Sequence, residues 1–203
     1  MLHYETIDAR TLDLLKRLLA IPEFQNLRLV GGTALALQLG HRISVDLDLF
    51  GSVDVDINRA VDLLNGFSDV QVQGSTKNMM FFNIEGVKVD IVNYPYKWID
   101  NQIEEDGLRL AAVNDIAAMK LSAITNRGTK KDFVDLYFLL EQFSLNELIE
   151  LYTNKYPDGQ IFFVLKSLAY FEDAEPQPMP KMLIDIDWND VKRRITDSVK
   201  KLV

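Results

Sequence analysis

The spacing of apolar residues divides the chain into an alternating strand–helix half and a helical half. Thr6 to Ala20 carries Ile7, Leu14, Leu15, Leu18 and Leu19 with charges between them, the stripe of an amphipathic helix that Ile21-Pro22 ends. Leu27 to Val30 is a short apolar run of strand character, and Ala34 to Leu39 is a run of helix formers stopped by Gly40. From Val45 to Phe50 the period becomes two, with Val45 and Leu47 inward and Asp46 and Asp48 outward. Asp54 or Asp56 is placed to cap a helix from Ile57 to Asn65 that Gly66 stops. Val70 to Gln73 alternates as a strand, and Gly74 to Lys77 reads as a loop. Met79 to Ile84 and Val87 to Asn93 are strand-like, and the Glu85-Gly86 pair between them predicts a hairpin.

Tyr94 to Gly107 reads as a connector whose acidic run, Glu104-Glu105-Asp106, is a solvated face. Two helices follow, opened by Asn114 or Asp115 and separated by Gly128. The chain is helical and aromatic-rich from Leu145, where the spacing of Tyr152 and Tyr156 suits a helix core more than a stacking platform. A Pro-rich loop at 175–180 precedes a terminal helix capped by Asp187. Lys192, Arg193, Arg194, Lys200 and Lys201 form one basic patch there; Arg127, Lys130 and Lys131 form another.

Composition narrows the classes. The chain has 203 residues, 48% of them hydrophobic, enough for one domain or two small lobes with a real core. It lacks cysteine, which excludes a disulfide scaffold and thiolate metal sites and suits a reducing cytosol, and its two histidines, His3 and His41, argue against a multi-histidine zinc site. No apolar run approaches the roughly 20 residues that span a bilayer, and no signal-peptide pattern opens the chain, so a cytoplasmic protein without membrane contact is expected. A net charge of −8 argues against broad electrostatic capture of nucleic acid, though a local basic patch remains able to steer an RNA end.

Candidate chemistry gathers in LRLVGGTALALQLGHRISVDLDLF, residues 27–50. Asp46 and Asp48 project from one strand face, roughly 7 Å apart by the usual rise. Two carboxylates so close repel unless a cation sits between them, and a hard ion such as Mg²⁺ suits carboxylate oxygens plus substrate phosphates. The Gly31-Gly32-Thr33 turn precedes a helix, whose free N–H groups suit a phosphate. The plainer alternatives are a solvated strand face and an ordinary turn. In VKVDIV, Lys88 and Asp90 share a face; Asp90 is either a third ligand from a neighbouring strand or half of an exposed ion pair. Lys120 and Arg127 lie on one helical face, as do Asp132 and Asp135 on the next helix. Lys120 is placed to reach a phosphate, Asp132 to hold Lys120 or Arg127 or to touch sugar or base, and Asp135 to join the helices through Arg127 or Lys131. An interhelical salt-bridge network without ligand is the alternative.

GGTALALQLGHRISVDLDLF and DIAAMKLSAI…RGTKKDFVDLYFLL resemble the AbiEii family of nucleotidyltransferase toxins, within the DNA polymerase beta-like superfamily. The resemblance covers about Leu27 to Leu140. It implies an α/β fold: a nucleotidyltransferase lobe with a mixed sheet at residues 1–110, and a helical lobe at 111–203 closing a nucleotide cleft. It implies Mg²⁺ (or Mn²⁺) in a two-metal site on Asp46, Asp48 and Asp90, with Asp90 helping to deprotonate an acceptor hydroxyl. Gly31, Gly32, Thr33, Arg42, Ser44, Lys88, Lys120 and Asp132 would serve the nucleotide. The implied activity is transfer of a nucleoside monophosphate from an NTP to RNA such as a tRNA end, by a toxin encoded beside an antitoxin. Two other readings stand beside it: a small-molecule nucleotidyltransferase of the antibiotic-modifying kind, which an acidic chain suits, and a non-catalytic nucleotide- or partner-binding domain.

Overall fold

In the computed structural model, which describes residues 1–202, Asp8 opens helix α1 (Ala9–Leu19) by accepting the N–H groups of Arg10 and Thr11. The expected stripe is inside: Leu14, Leu15, Leu18 and Leu19 are buried. A mixed sheet follows, built from β1 (Leu27–Val30), β2 (Leu47–Gly51), β3 (Val70–Ser75), β4 (Met79–Ile84), β5 (Val87–Asn93), β6 (Ile103–Glu105) and β7 (Leu108–Leu110). Its order is β3-β4-β5-β2-β1-β7-β6. β2 runs antiparallel to β1 and parallel to β5. Helix α2 (Gly31–Leu39) joins β1 to β2, and α3 (Ile57–Leu63), capped by Asp56, follows β2.

Two of the sheet's three hairpins, β4–β5 and β6–β7, turn on a residue pair with positive φ, Glu85-Gly86 at 54° and 84° and Asp106-Gly107 at 53° and 78°. That is the backbone of a turn whose twist matches its strands. The first hairpin was expected. The second corrects the reading of 94–107 as a plain connector: its strands are three residues each, too short for a period to show. β3 also runs past Val72 through Gly74 and Ser75, which the sequence assigned to a loop, by means of an irregularity in register.

The helical half comprises α4 (Val113–Asn126), α5 (Lys130–Gln142), α6 (Leu145–Lys155), α7 (Ile161–Leu168) and α8 (Trp188–Lys200). Neither Asn114 nor Asp115 caps α4, which starts at Val113 behind Ala112. Asp115 is instead fully buried, accepting the N–H groups of Ile99 and Asp100 and the Lys155 ammonium at 2.6 Å. The segment after the Pro-rich loop folds back on the first half: Ile43 N–H donates to Lys181, and Leu183 N–H to His41. Buried residues from Leu2 to Ile195 form one continuous core. Among the described residues, no helix is long and apolar enough to cross a membrane.

Candidate active site

Parallel pairing of β2 with β5 puts Asp48 directly beside Asp90. Their strand neighbours Leu47, Leu49, Val89 and Ile91 are fully buried, so by alternation both carboxylates share the other face. Asp90 is 14% exposed and takes Lys88 Nζ at 2.7 Å on Oδ2, while its Oδ1 is buried with no partner among the described residues. The ion pair with Lys88 is therefore formed, and it leaves one buried oxygen of Asp90 unused. Asp48 sits deeper. Burial pushes its carboxyl up from the ordinary value, and the neighbouring Asp90 adds to the shift against a smaller opposing pull from Lys120 and Lys88. A half-buried carboxylate made reluctant to ionise, next to an orphaned carboxylate oxygen, is a place short of positive charge, and the pair fits a hard divalent cation.

Asp46 is not yet part of that pair. β2 begins at Leu47, and Val45, expected inward, is 52% exposed. The segment before β2 is drawn off the sheet because its backbone is held elsewhere, Ser44 N–H by Thr6 and Ile43 N–H by Lys181. The Asp46 carboxylate faces Lys131, with Nζ 3.2 Å away. Among the described residues, no group of three Asp, Glu, His or Cys side chains is gathered tightly enough to hold one ion.

The expected glycine turn is the first turn of α2 itself. Gly31 has φ +69°, and a Cβ there would collide with the Asp48 carboxylate; a Cβ on Gly32 would collide with the Arg42 guanidinium. No side chain caps this helix end, so its N–H groups are left for a ligand anion. Thr33 is buried, and its hydroxyl bonds the Asp46 carbonyl and lies 2.9 Å from Ser44 Oγ. Thr33 and Ser44 thus pin the Asp46 segment to α2, with their hydroxyls engaged internally. Replacing Gly31 by Ala forces both a left-handed backbone and a clash. Thermal unfolding should show a loss of about 1–3 kcal/mol; an unchanged melting temperature would contradict this placement.

Behind the acids lies a buried charge network. Lys120 is 4% exposed and bridges Asp132 at 3.0 Å and Asp135 at 2.5 Å. Burial alone would lower the pKa of Lys120, but Asp135 and Asp132 outweigh it and hold the ammonium charged. Asp132 also accepts Arg127 Nε at 2.9 Å and the Thr129 hydroxyl at 2.5 Å. Asp135 departs from the expected pairing with Arg127 or Lys131. It accepts Arg42 Nε at 2.7 Å and Nη2 at 3.0 Å, and lies 2.8 Å from His41 Nε2. Arg42 therefore braces the segment leading to Asp46 against α5. Burial opposes ionisation of both aspartates, yet the Arg42 and Lys120 charges hold Asp135 far below the carboxylate range, and Lys120 and Arg127 hold Asp132 low.

A cleft of about 560 Å³ opens between Val30, Gly31 and Asp48 on the sheet side and Met119, Lys120 and Arg127 on α4 and its end. Its far end is aromatic: Phe50, Tyr94, Tyr96, Tyr152 and Tyr156. The Tyr94 and Tyr156 hydroxyls lie 2.9 Å apart, and burial pushes Tyr156 up to about 12. Tyr152 and Tyr156 thus face the cleft rather than only a helix core. The i, i+4 spacing signals a shared face but not what that face meets. Phe50 was legible, since it has the strand parity of Asp48.

Paired strand aspartates beside an uncapped helix start, facing a helical wall with basic side chains, define a nucleotidyltransferase. The sequence profile described as "Nucleotidyl transferase AbiEii toxin, Type IV TA system" matches residues 13–201, and the chain belongs to that family. It is 35% identical over 182 residues to the protein aq_aa25 of Aquifex aeolicus (strain VF5), covering 85% of this chain and 86% of that one. The fold is similar to that of MenT4, a nucleotidyltransferase toxin of Mycobacterium tuberculosis H37Rv, with TM-score 0.60 and 14% identity over 94% of this chain and 80% of that chain. It is also similar to a nucleotidyltransferase-like structure from Helicobacter pylori, with TM-score 0.58 and 19% identity over 96% and 95% of the two chains.

Proposed function

We propose that this chain transfers a nucleoside monophosphate from an NTP to an acceptor hydroxyl on RNA, with Mg²⁺ or Mn²⁺, as the toxin of a toxin–antitoxin pair. The observation that carries the reading is the register of Asp48, which lines the cleft, beside Asp90, one carboxyl pushed up and one oxygen unpartnered. Asp48 and Asp90 would hold the metal, with Asp46 joining once it leaves Lys131. When bound, the cation supplies charge for the triphosphate and for the oxygens that enter and leave phosphorus.

The remaining work falls to the chain's own groups. The N–H groups at Gly31 and Gly32 receive phosphate oxygens, and Arg127 faces them from the opposite wall. The aromatic end of the cleft accepts the base. Lys120 keeps Asp132 and Asp135 in place and lends its charge to the floor of the cleft. The acceptor O–H attacks the α-phosphorus and its proton passes to Asp90. A new P–O bond forms as the bond to the leaving group breaks, and pyrophosphate departs. The sheet half, 1–110, carries the acids, and the helical half, 111–203, covers the nucleotide. Lys88 on Asp90 and the exposed Arg127 and Lys131 would draw the RNA end inward, whereas Lys130, expected in the same basic patch, is buried with its ammonium on the Glu175 carbonyl.

The test is incubation of the protein with each α-³²P-labelled NTP, Mg²⁺ and total RNA, and in parallel with small hydroxylated acceptors. Label should enter RNA in the wild type and not in Asp90→Asn. Label only in an aminoglycoside-like acceptor would replace the RNA reading with the small-molecule one. No label in any acceptor, with no Mg·NTP binding, would sink the assignment.

A further inference from the structure

The three candidate metal ligands do not stand alike towards positive charge. Asp90 has Lys88 at 2.7 Å, Asp46 has Lys131 at 3.2 Å, and the Asp48 carboxylate accepts no hydrogen bond from any described residue. The two lysines also differ from Lys120. Lys120 is clamped by two buried carboxylates, so moving it would strand both. Lys131 makes one contact, and both partners are open to water, at 46% and 38% exposure. Such a pair is weakly held.

Its position matters as much as its looseness. The Thr33 hydroxyl ties the Asp46 carbonyl to the first turn of α2, so the ammonium on Asp46 hovers beside the uncapped helix start. Lys131 itself is in the first turn of α5, where a positive side chain gains nothing from the helix and is favoured only by an anion nearby. Asp46 supplies that anion in the structure. The phosphates of a bound nucleotide, lying at α2, would supply a stronger one.

We propose that Lys131 is an exchangeable counter-ion: it neutralises Asp46 in the empty site and crosses to the nucleotide phosphates when a cation takes Asp46. This rests on the reading of the site given above. It makes Lys131 a positioning residue with two opposed effects. It competes with metal when no nucleotide is present, and it supports nucleotide once metal has arrived.

The experiment measures both. Mn²⁺ is titrated into nucleotide-free protein and the free ion is followed by electron paramagnetic resonance, for the wild type, Lys131→Met, Lys131→Arg and Asp48→Asn. Lys131→Met, which keeps the stem and loses the charge, should bind Mn²⁺ up to about fivefold more tightly, the scale of one exposed ion pair. Its KM for the NTP that labels best should rise about tenfold, with kcat changed less. Lys131→Arg should restore both values towards the wild type. Mn²⁺ affinity that is unchanged or weaker in Lys131→Met, or a KM that does not move, overturns the exchange. If either of those results comes with wild-type Mn²⁺ binding that Asp48→Asn abolishes, the exchange falls while the metal site stands. Absence of Mn²⁺ binding by the wild type removes both.

Discussion

Replacing Asp48 with Asn should abolish transfer and at the same time make the protein more stable. The carboxylate is disfavoured where it sits, first by burial and then by Asp90 alongside. An amide of the same shape removes both burdens. Transfer should fall by about a thousandfold or more, the scale seen when one charge-stabilising group is lost from an active site. Stability near neutral pH should rise by about 0.5–2 kcal/mol, the usual return when a functional strain is relieved. For a chain of this length that is roughly 2–4 °C per kcal/mol in melting temperature.

The sign with pH follows from the raised pKa. Asp48 weakens the wild type while ionised in the fold, above its folded pKa. The burden lifts as pH falls through that value and is gone by its ordinary value of 3.8. The advantage of Asn should therefore shrink towards acid. Mg²⁺ should raise the melting temperature of the wild type and leave Asp48→Asn where it is. A variant that is both inactive and less stable would show that Asp48 is a structural group rather than a metal ligand.

Asp135→Ala should be the most damaging single change in the charge network. The carboxylate is fully buried and holds Arg42, Lys120 and His41. Deleting it strands two buried cations, at a cost of about 3–5 kcal/mol. Against a total stability of about 5–15 kcal/mol, that is enough to unfold much of the population on mild heating. Urea denaturation reads it directly, and a loss below about 1 kcal/mol would show that the network is not what holds α5 to the segment at Arg42. Both Asp132 and Asp135 have folded pKa values below the ordinary 3.8, so their contribution is present above that pH and is lost as pH falls through the lower folded values. Acid unfolding of the wild type should begin below about pH 4, and Asp135→Ala should show a shallower acid limb.

Much of this was legible before any coordinates. Alternation in VDLDLF and VKVDIV put Asp48 and Asp90 on exposed faces of two strands, and the resemblance named them as partners; only the register of a parallel pair could place them side by side. Strand parity failed at Val45 and Asp46, because hydrogen bonds from Thr6 and Lys181, distant in sequence, hold that segment away from the sheet. Helical spacing predicted that Asp132 and Asp135 share a face but not which partners they would meet. Asp132 took the expected Lys120 and Arg127, whereas Asp135 took Lys120 together with Arg42 and His41, which lie 93 and 94 residues earlier in the chain. The β6–β7 hairpin escaped notice because its strands are shorter than the repeat needed to reveal them, although Asp106-Gly107 is a turn-forming pair.

Parallel neighbours need a long crossover, and here everything from Ser52 to Gly86 intervenes between Asp48 and Asp90. A growing chain that has emerged only as far as β4 owns two acids and no third, and the lysines and arginine facing them are later still. The candidate site is thereby incomplete until α5 has been made, and products cut short before that point lack it.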